Sequence, residues 1–161
     1  MTENEIYEDF TSRGVVFEKL EHEAVHTVEE SAGIHQALPA AHTKNLFLKD
    51  KQGRFWLVTL PHDSRADLKA FAHLLEAGKF SFGKPEDMER LLGVTPGAVT
   101  PLAGANAPDG EVTVVFDAGF RDADRISVHP LRNTATIALG FDALTGWLRD
   151  RGVPVIIAPL I

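Results

Sequence analysis

The sequence predicts a single α/β domain of the α+β type, with a mixed, mostly antiparallel β-sheet wrapped by helices. Three observations lead there. Two apolar runs at residues 45–49 and 54–60 flank the short turn Asp50-Lys51-Gln52-Gly53, the pattern of a β-hairpin. Further short strand-like runs alternate with segments whose apolar residues recur at helical spacing. The separations between strands suit hairpins better than βαβ crossovers, so antiparallel pairing should dominate.

The elements follow in order. Thr2 with Glu5 three residues on forms a capping box, so a first helix should run from residue 3 to about 13 and end at Gly14. Val15, Val16 and Phe17 then read as a strand. Thr27 and Glu30 repeat the capping pattern, which places a short second helix after Thr27. Beyond the hairpin, Leu68, Phe71, Ala72 and Leu75 fall at i, i+3, i+4 and i+7, one stripe of a helix. Met88, Leu91 and Leu92 suggest another, closed by Gly93. Strands are expected over 112–116, 125–128 and 134–139. A last helix carrying Phe141, Leu144 and Leu148 should run to about Arg151, before Gly152. Residues 93–110, with Pro96, Gly97, Pro101, Gly104 and Pro108, read as a long loop, and such loops often carry function. No repeat or linker divides the chain, so residues 1–161 are expected to form one domain, with 1–14 as an N-terminal helical extension.

Composition narrows the function. The 161 residues are 44% hydrophobic and 24% charged, enough to bury a core without disulfides or a structural metal. The absence of cysteine excludes disulfides, thiolate zinc sites and cysteine nucleophiles, and fits a reducing cytoplasm. No apolar run approaches the ~20 residues needed to span a bilayer, and the most apolar stretch, 153–161, holds two prolines. Glu3, Glu5, Glu8 and Asp9 oppose the basic start of a secretory signal. The net charge of −7 disfavours binding along a duplex, which draws its affinity from neutralised phosphates. Any nucleic-acid contact should be small and local.

One motif needs weighing first. His22-Glu23-Ala24-Val25-His26 fits H-E-x-x-H, a zinc-hydrolase signature that needs both histidines one turn apart on a helix. Here it follows a strand-like run and ends before the Thr27 cap, so the helix starts too late. A solvated strand end is the plainer reading. There is no G-x-S-x-G elbow, no phosphate-binding G-x-x-x-x-G-K-[ST], and no G-x-G-x-x-G after a strand. Any catalysis should therefore work without cofactor, metal or thiol.

Three segments remain: Lys44-Asn45-Leu46-Phe47-Leu48, Gly97-Ala98-Val99-Thr100-Pro101 after Leu91-Leu92-Gly93-Val94, and Ser127-Val128-His129-Pro130 with Asn133 and Thr136. Singly, each is an exposed lysine, a turn, or a histidine beside a proline. Together and in this order they resemble the YbaK/ProX family, the editing domains of bacterial-type prolyl-tRNA synthetases and their free-standing relatives. The resemblance covers residues 16 to 148. With the extra N-terminal helix it is similar to the free-standing ProX group, which deacylates alanyl-tRNA(Pro). It implies a single domain with a mixed sheet wrapped by helices. It also implies the acceptor end of mischarged tRNA(Pro) as substrate, prolyl-tRNA synthetase as a further partner, and no membrane. In this family the terminal ribose hydroxyl is held to help position or activate the attacking water.

Residue types suggest roles within that resemblance. Lys44 is a compact cation suited to the terminal phosphate or the ester oxygen. Asn45 can donate and accept toward the ribose or the amino-acid end. Gly97 lets backbone N–H groups of the 97–101 loop approach a ligand closely, as oxyanion donors. Ala98, Val99, Thr100 and Pro101 line that loop. His129 is suited to orienting the α-amino group or shaping the pocket, with Ser127 beside it. Phe47 and Val99 are candidate walls, although core packing suits Phe47 better. The alternative is a module of the same fold that binds tRNA or another nucleic acid without hydrolysis.

Overall fold

The structure is a computed structural model that describes residues 1–24 and 28–161, with the backbone alone for 28–30. Helix α1 (Glu3–Ser12) starts at the expected capping box: Thr2 Oγ1 accepts the Glu5 N–H and Glu5 Oε1 accepts the Thr2 N–H. Removing the hydroxyl in Thr2→Ala should lower stability by about 0.5–2 kcal/mol, read as a lower urea midpoint. Ile6 and Phe10 of α1 are fully buried in the main core. Phe10 meets the Trp147 ring edge-on at 5.1 Å, and Trp147 Nε1 donates to Asp9 Oδ2 at 2.6 Å. The helix is packed into the body, not appended to it.

Gly14 lies at φ +73°, and the Val15 N–H folds back onto the Phe10 carbonyl at 2.9 Å. That bond ties residue 15 to the helix end. The strand expected from Val15 therefore begins later, as β1 (Phe17–Glu21), and Val16 is left exposed. Helix α2 (Val28–Ala37) follows; its expected Thr27 cap lies outside the described residues.

The hairpin forms from β2 (Thr43–Lys49) and β3 (Phe55–Pro61), with Asn45 opposite Thr59. Gly53 takes the left-handed conformation in the turn, at φ +86°. Asp50 organises the rest: Oδ1 accepts the N–H groups of Gln52 and Arg54, and Oδ2 accepts Arg54 Nε and Trp56 Nε1.

Instead of one sheet, the described strands form two. A five-stranded sheet runs β4–β2–β3–β5–β8, adding β4 (Ser81–Phe82), β5 (Val112–Asp117) and β8 (Val155–Ala158). Its β3–β5 and β5–β8 pairs are parallel, and the rest antiparallel. A three-stranded antiparallel sheet runs β1–β7–β6, with β6 (Ile126–Val128) and β7 (Ala135–Leu139).

Strand β3 is buried on both faces, which explains why apolar residues fill both faces from Phe55 to Val58. Phe55 and Leu57 face the main core, while Trp56, Val58 and Leu60 face a second cluster. Helix α3 (Leu68–Leu74) covers that second cluster with Phe71 and Ala72. The main core is closed by α1, α4 (Pro85–Leu92), α5 (Phe141–Asp150) and the smaller sheet.

The 93–110 segment is no open loop. It winds into two 3₁₀ turns, Pro96–Ala98 and Pro101–Asn106, and residues 98–104 are buried. A Cβ on Gly104 would sit 2.8 Å from Val114 Cγ2, so only glycine lets this turn lie against β5.

Candidate active site

The two sheets meet where β2 begins and β6 ends, and local bonding fixes that junction. The Ala41 carbonyl accepts the Ser127 N–H at 3.1 Å, and the Thr43 hydroxyl donates to the Ser127 carbonyl at 2.6 Å. Between them and α2 opens a cavity of about 570 Å³. Ile34 and His35 of α2 form one wall; Thr43 and Asn45 of β2 and Ser127, Val128, His129 and Thr136 form the others. His42 and His62 complete the lining with Ser31 and Ala32, and none of these residues is a carboxylate, lysine or arginine.

Strand alternation decides which predicted residues enter it. Asn45 faces the cavity, and its Oδ1 accepts the Thr59 hydroxyl at 2.6 Å, which turns the amide NH₂ into the available donor. Lys44, one residue earlier, must point to the other face of the sheet. There its ammonium donates to the Ser64 carbonyl, just outside the wall formed by Thr43, Asn45 and His62. Phe47 shares the Asn45 face but lies deeper, stacked on Phe55 at 5.3 Å. It is a core side chain rather than a wall.

The 97–101 segment is absent from the lining. Gly97 is exposed and lies against the Asn133 amide, which a Cβ would approach to 3.0 Å. Ala98, Val99, Thr100 and Pro101 are buried in the core. Val99 is therefore core packing, and the wall role expected of it passes to Ile34.

The imidazoles have defined states. His129 Nδ1 lies 2.9 Å from the Ala135 carbonyl; a carbonyl only accepts, so Nδ1 carries the proton and Nε2 is left as an acceptor. Burial lowers the His129 pKa, the Ala135 bond opposes this, and His22 lowers it further. His35 is likewise lowered by burial and then by His62. Burial, reinforced by His35 and His62, pushes His42 down to about 4. His35 stacks on His42 with centroids 3.9 Å apart, and His62 stands edge-on to His35 at 4.5 Å. Stacked rings do not converge their nitrogens on one point, and among the described residues no group of three possible ligands could hold a metal.

These shifts have a consequence for stability. His35, His42 and His129 are each harder to protonate folded than unfolded, so the unfolded chain takes up protons first as pH falls below the ordinary histidine value of about 6.5. Stability should be flat above that pH and fall between it and about 4, where His42 itself titrates. Urea midpoints from pH 7.5 to 4 would register the decline; a constant midpoint down to pH 5 would contradict it.

His42 Nδ1 lies 2.7 Å from Ser127 Oγ, the spacing of a nucleophile and its base. Two facts argue against that chemistry. Ser127 is 4% exposed, and burial makes His42 a poor base at neutral pH. The pair instead fastens the segment before β2 to β6. The H-E-x-x-H reading also lacks its helix: His22 and Glu23 follow β1 and belong to no helix, and His26 lies outside the described residues. His22 matters for a reason that linear spacing did not reveal. Its Nε2 is 2.8 Å from Thr136 Oγ1, on the cavity wall.

Residues 22–145 match the aminoacyl-tRNA editing domain family. The chain is 34% identical over 134 residues to the prolyl-tRNA editing protein ProX of Acetoanaerobium sticklandii, covering 83% of this chain and 82% of that one. It is 37% identical over 140 residues to prolyl-tRNA synthetase associated domain-containing protein 1 of Bos taurus, covering 84% and 81%. A solved structure described as a candidate trans-editing enzyme for prolyl-tRNA synthetase superposes with a TM-score of 0.71, at 18% identity over 96% of this chain and 94% of that one. At that identity the likeness is one of fold.

Proposed function

Because this chain belongs to the aminoacyl-tRNA editing domain family, we propose that it hydrolyses the ester of mischarged tRNA(Pro), with alanine as the amino acid removed. The observation that carries this reading is the identity to a prolyl-tRNA editing protein over most of both chains. The cavity supports it, since its described lining holds no carboxylate, lysine or arginine. An aminoacyl ester is already activated, so its hydrolysis needs a positioned water and donors for the developing oxyanion, without a covalent nucleophile.

Asn45, through its free amide NH₂, holds the ribose or the acyl oxygen. His129, neutral with Nε2 as acceptor, holds the α-amino group. Lys44 meets a phosphate of the acceptor end from just outside the wall. Residues 43–90 hold nine of the sixteen lysines and arginines, so phosphates approach from the hairpin side. Gly97 acts through Asn133 and the turn that carries His129, not as an oxyanion donor within the cavity. The work belongs in the cytoplasm, beside prolyl-tRNA synthetase.

Such an activity answers a limit of recognition. A synthetase pocket that fits proline rejects a smaller residue by only about 1–3 kcal/mol, so alanine is attached in error. The cavity removes the error by admitting alanine and excluding the larger ring. Purified protein incubated with alanyl-tRNA(Pro) should release alanine catalytically. Binding without ester loss would indicate a non-catalytic module instead.

Trimming the wall should relax the filter. Ile34→Ala is expected to raise prolyl relative to alanyl hydrolysis by about tenfold, the order of a methylene or two of steric contact. An unchanged ratio in the folded variant would remove Ile34 from the filter.

A further inference from the structure

His22 and Thr136 are 114 residues apart in sequence and share one hydrogen bond, whose direction is fixed by what lies behind it. His22 Nδ1 is 2.8 Å from the Glu23 carbonyl, so Nδ1 carries the proton. In the neutral ring Nε2 then has only a lone pair to offer. At 2.8 Å from Thr136 Oγ1, it must receive the hydroxyl proton. Thr136 is thereby left with lone pairs alone for anything on its cavity side.

His129 carries the same polarity beside it. Val128 pairs with Ile137, so the next positions along the two strands are His129 and Thr136, and both line the cavity. Its Nδ1 proton is held by Ala135, which leaves Nε2 as acceptor. Two neutral acceptors thus stand together on a wall whose described side chains include no carboxylate.

We propose that Thr136 Oγ1 and His129 Nε2 form the recognition site for the primary amine of the substrate's aminoacyl group, and that His22 is a positioning residue that keeps Thr136 an acceptor. A primary amine carries several N–H donors whether or not it is protonated, and so can satisfy both acceptors at once. A methyl group in its place would leave both unsatisfied, the kind of mismatch a polar site rejects most strongly. This assignment rests on the reading of the cavity as an aminoacyl-ester site, and extends it to the group that distinguishes an amino acid from any other small acyl group.

The test uses hydrolysis-resistant probes. These are 3′-deoxyadenosine bearing a 3′-alanylamido group, and its isobutyrylamido counterpart, in which methyl replaces the amine at equal size. The wild-type protein should bind the alanyl probe at least about tenfold more tightly, the scale of one or two lost polar contacts. Thr136→Val, which keeps the shape, should remove most of that preference, and Thr136→Ser should keep it. His22→Phe should weaken it by freeing the Thr136 hydroxyl to donate, while His22→Gln, whose amide oxygen can accept, should restore it in part. A purely structural role would shift both probes equally. The assignment is overturned if the wild type shows no preference, if neither probe binds, or if Thr136→Val and His22→Phe keep the wild-type ratio. Hydrolysis of alanyl-tRNA(Pro) by the wild type, measured in parallel, keeps the two ideas apart: its absence would count against the deacylase reading, whereas hydrolysis with an unaltered probe ratio counts against this assignment alone.

Discussion

Lys44→Ala is expected to lower kcat/KM for alanyl-tRNA(Pro) by about 10- to 150-fold. That range is the rate equivalent of a hydrogen bond to a charged group, about 1.5–3 kcal/mol. The fold should hardly notice the change. Lys44 is half-buried, and its one described hydrogen bond is to the carbonyl of the half-buried Ser64, a partly exposed contact that water can replace. Equal unfolding curves with unequal rates would locate the effect in the substrate complex. Lys44→Arg should recover part of the loss, since the charge is kept while the compact ammonium is not. Wild-type turnover by a folded Lys44→Ala protein would remove Lys44 from the site.

The second large effect concerns stability. Asp50→Ala is expected to destabilise the protein by about 2–4 kcal/mol. The carboxylate is buried and accepts four hydrogen bonds. Its loss strands Trp56 Nε1 and two backbone N–H groups, and buried unsatisfied donors cost about 1–3 kcal/mol each when water cannot reach them. Arg54 adds little, because its side chain is 55% exposed and can return to solvent. Asp50→Asn should fare little better, since one of its amide atoms would face donors with a donor of its own. Burial acts to raise the Asp50 pKa, but the bonds from Trp56 and Arg54 outweigh it and hold the group below the usual carboxylate range. A folded-state pKa below the unfolded one gives stability that is present above about pH 3.9 and lost as pH falls through the folded value. The difference in urea midpoint between wild type and Asp50→Ala should therefore narrow in strong acid. A constant difference down to pH 2 would contradict the account.

Much of the fold was legible because local rules and tertiary packing agree in it. The Thr2 cap, the hairpin around Gly53 and the stripes of α3, α4 and α5 each carry their signal within a dozen residues. Strand β8 was not legible. Its residues Val155, Ile156 and Ile157 lie between Pro154 and Pro159, and what makes them a strand is parallel pairing with β5, some forty residues earlier. The division into two sheets was hidden for the same reason, since β1 pairs with β7 across most of the chain.

The site divides in the same way. Asn45, Ser127 and His129 could be singled out from motifs and do line the cavity. That Lys44 and Asn45 face opposite ways was available from strand alternation alone. The burial of Ala98 to Pro101 was not, because a run rich in glycine and proline reads as a surface turn until β5 and α4 are seen to enclose it. His35 belongs to α2, while His42 precedes β2 and His62 follows β3, and nothing in their spacing brings the helix onto the hairpin end.

The central claim is that the cavity hydrolyses a small aminoacyl ester and spares the cognate one. Single-turnover deacylation of alanyl- and prolyl-tRNA(Pro), prepared on the same tRNA and followed by loss of labelled amino acid, tests it most directly. The account predicts rapid release of alanine with proline retained at close to its spontaneous rate. Equal hydrolysis of both esters, or of neither, would contradict it.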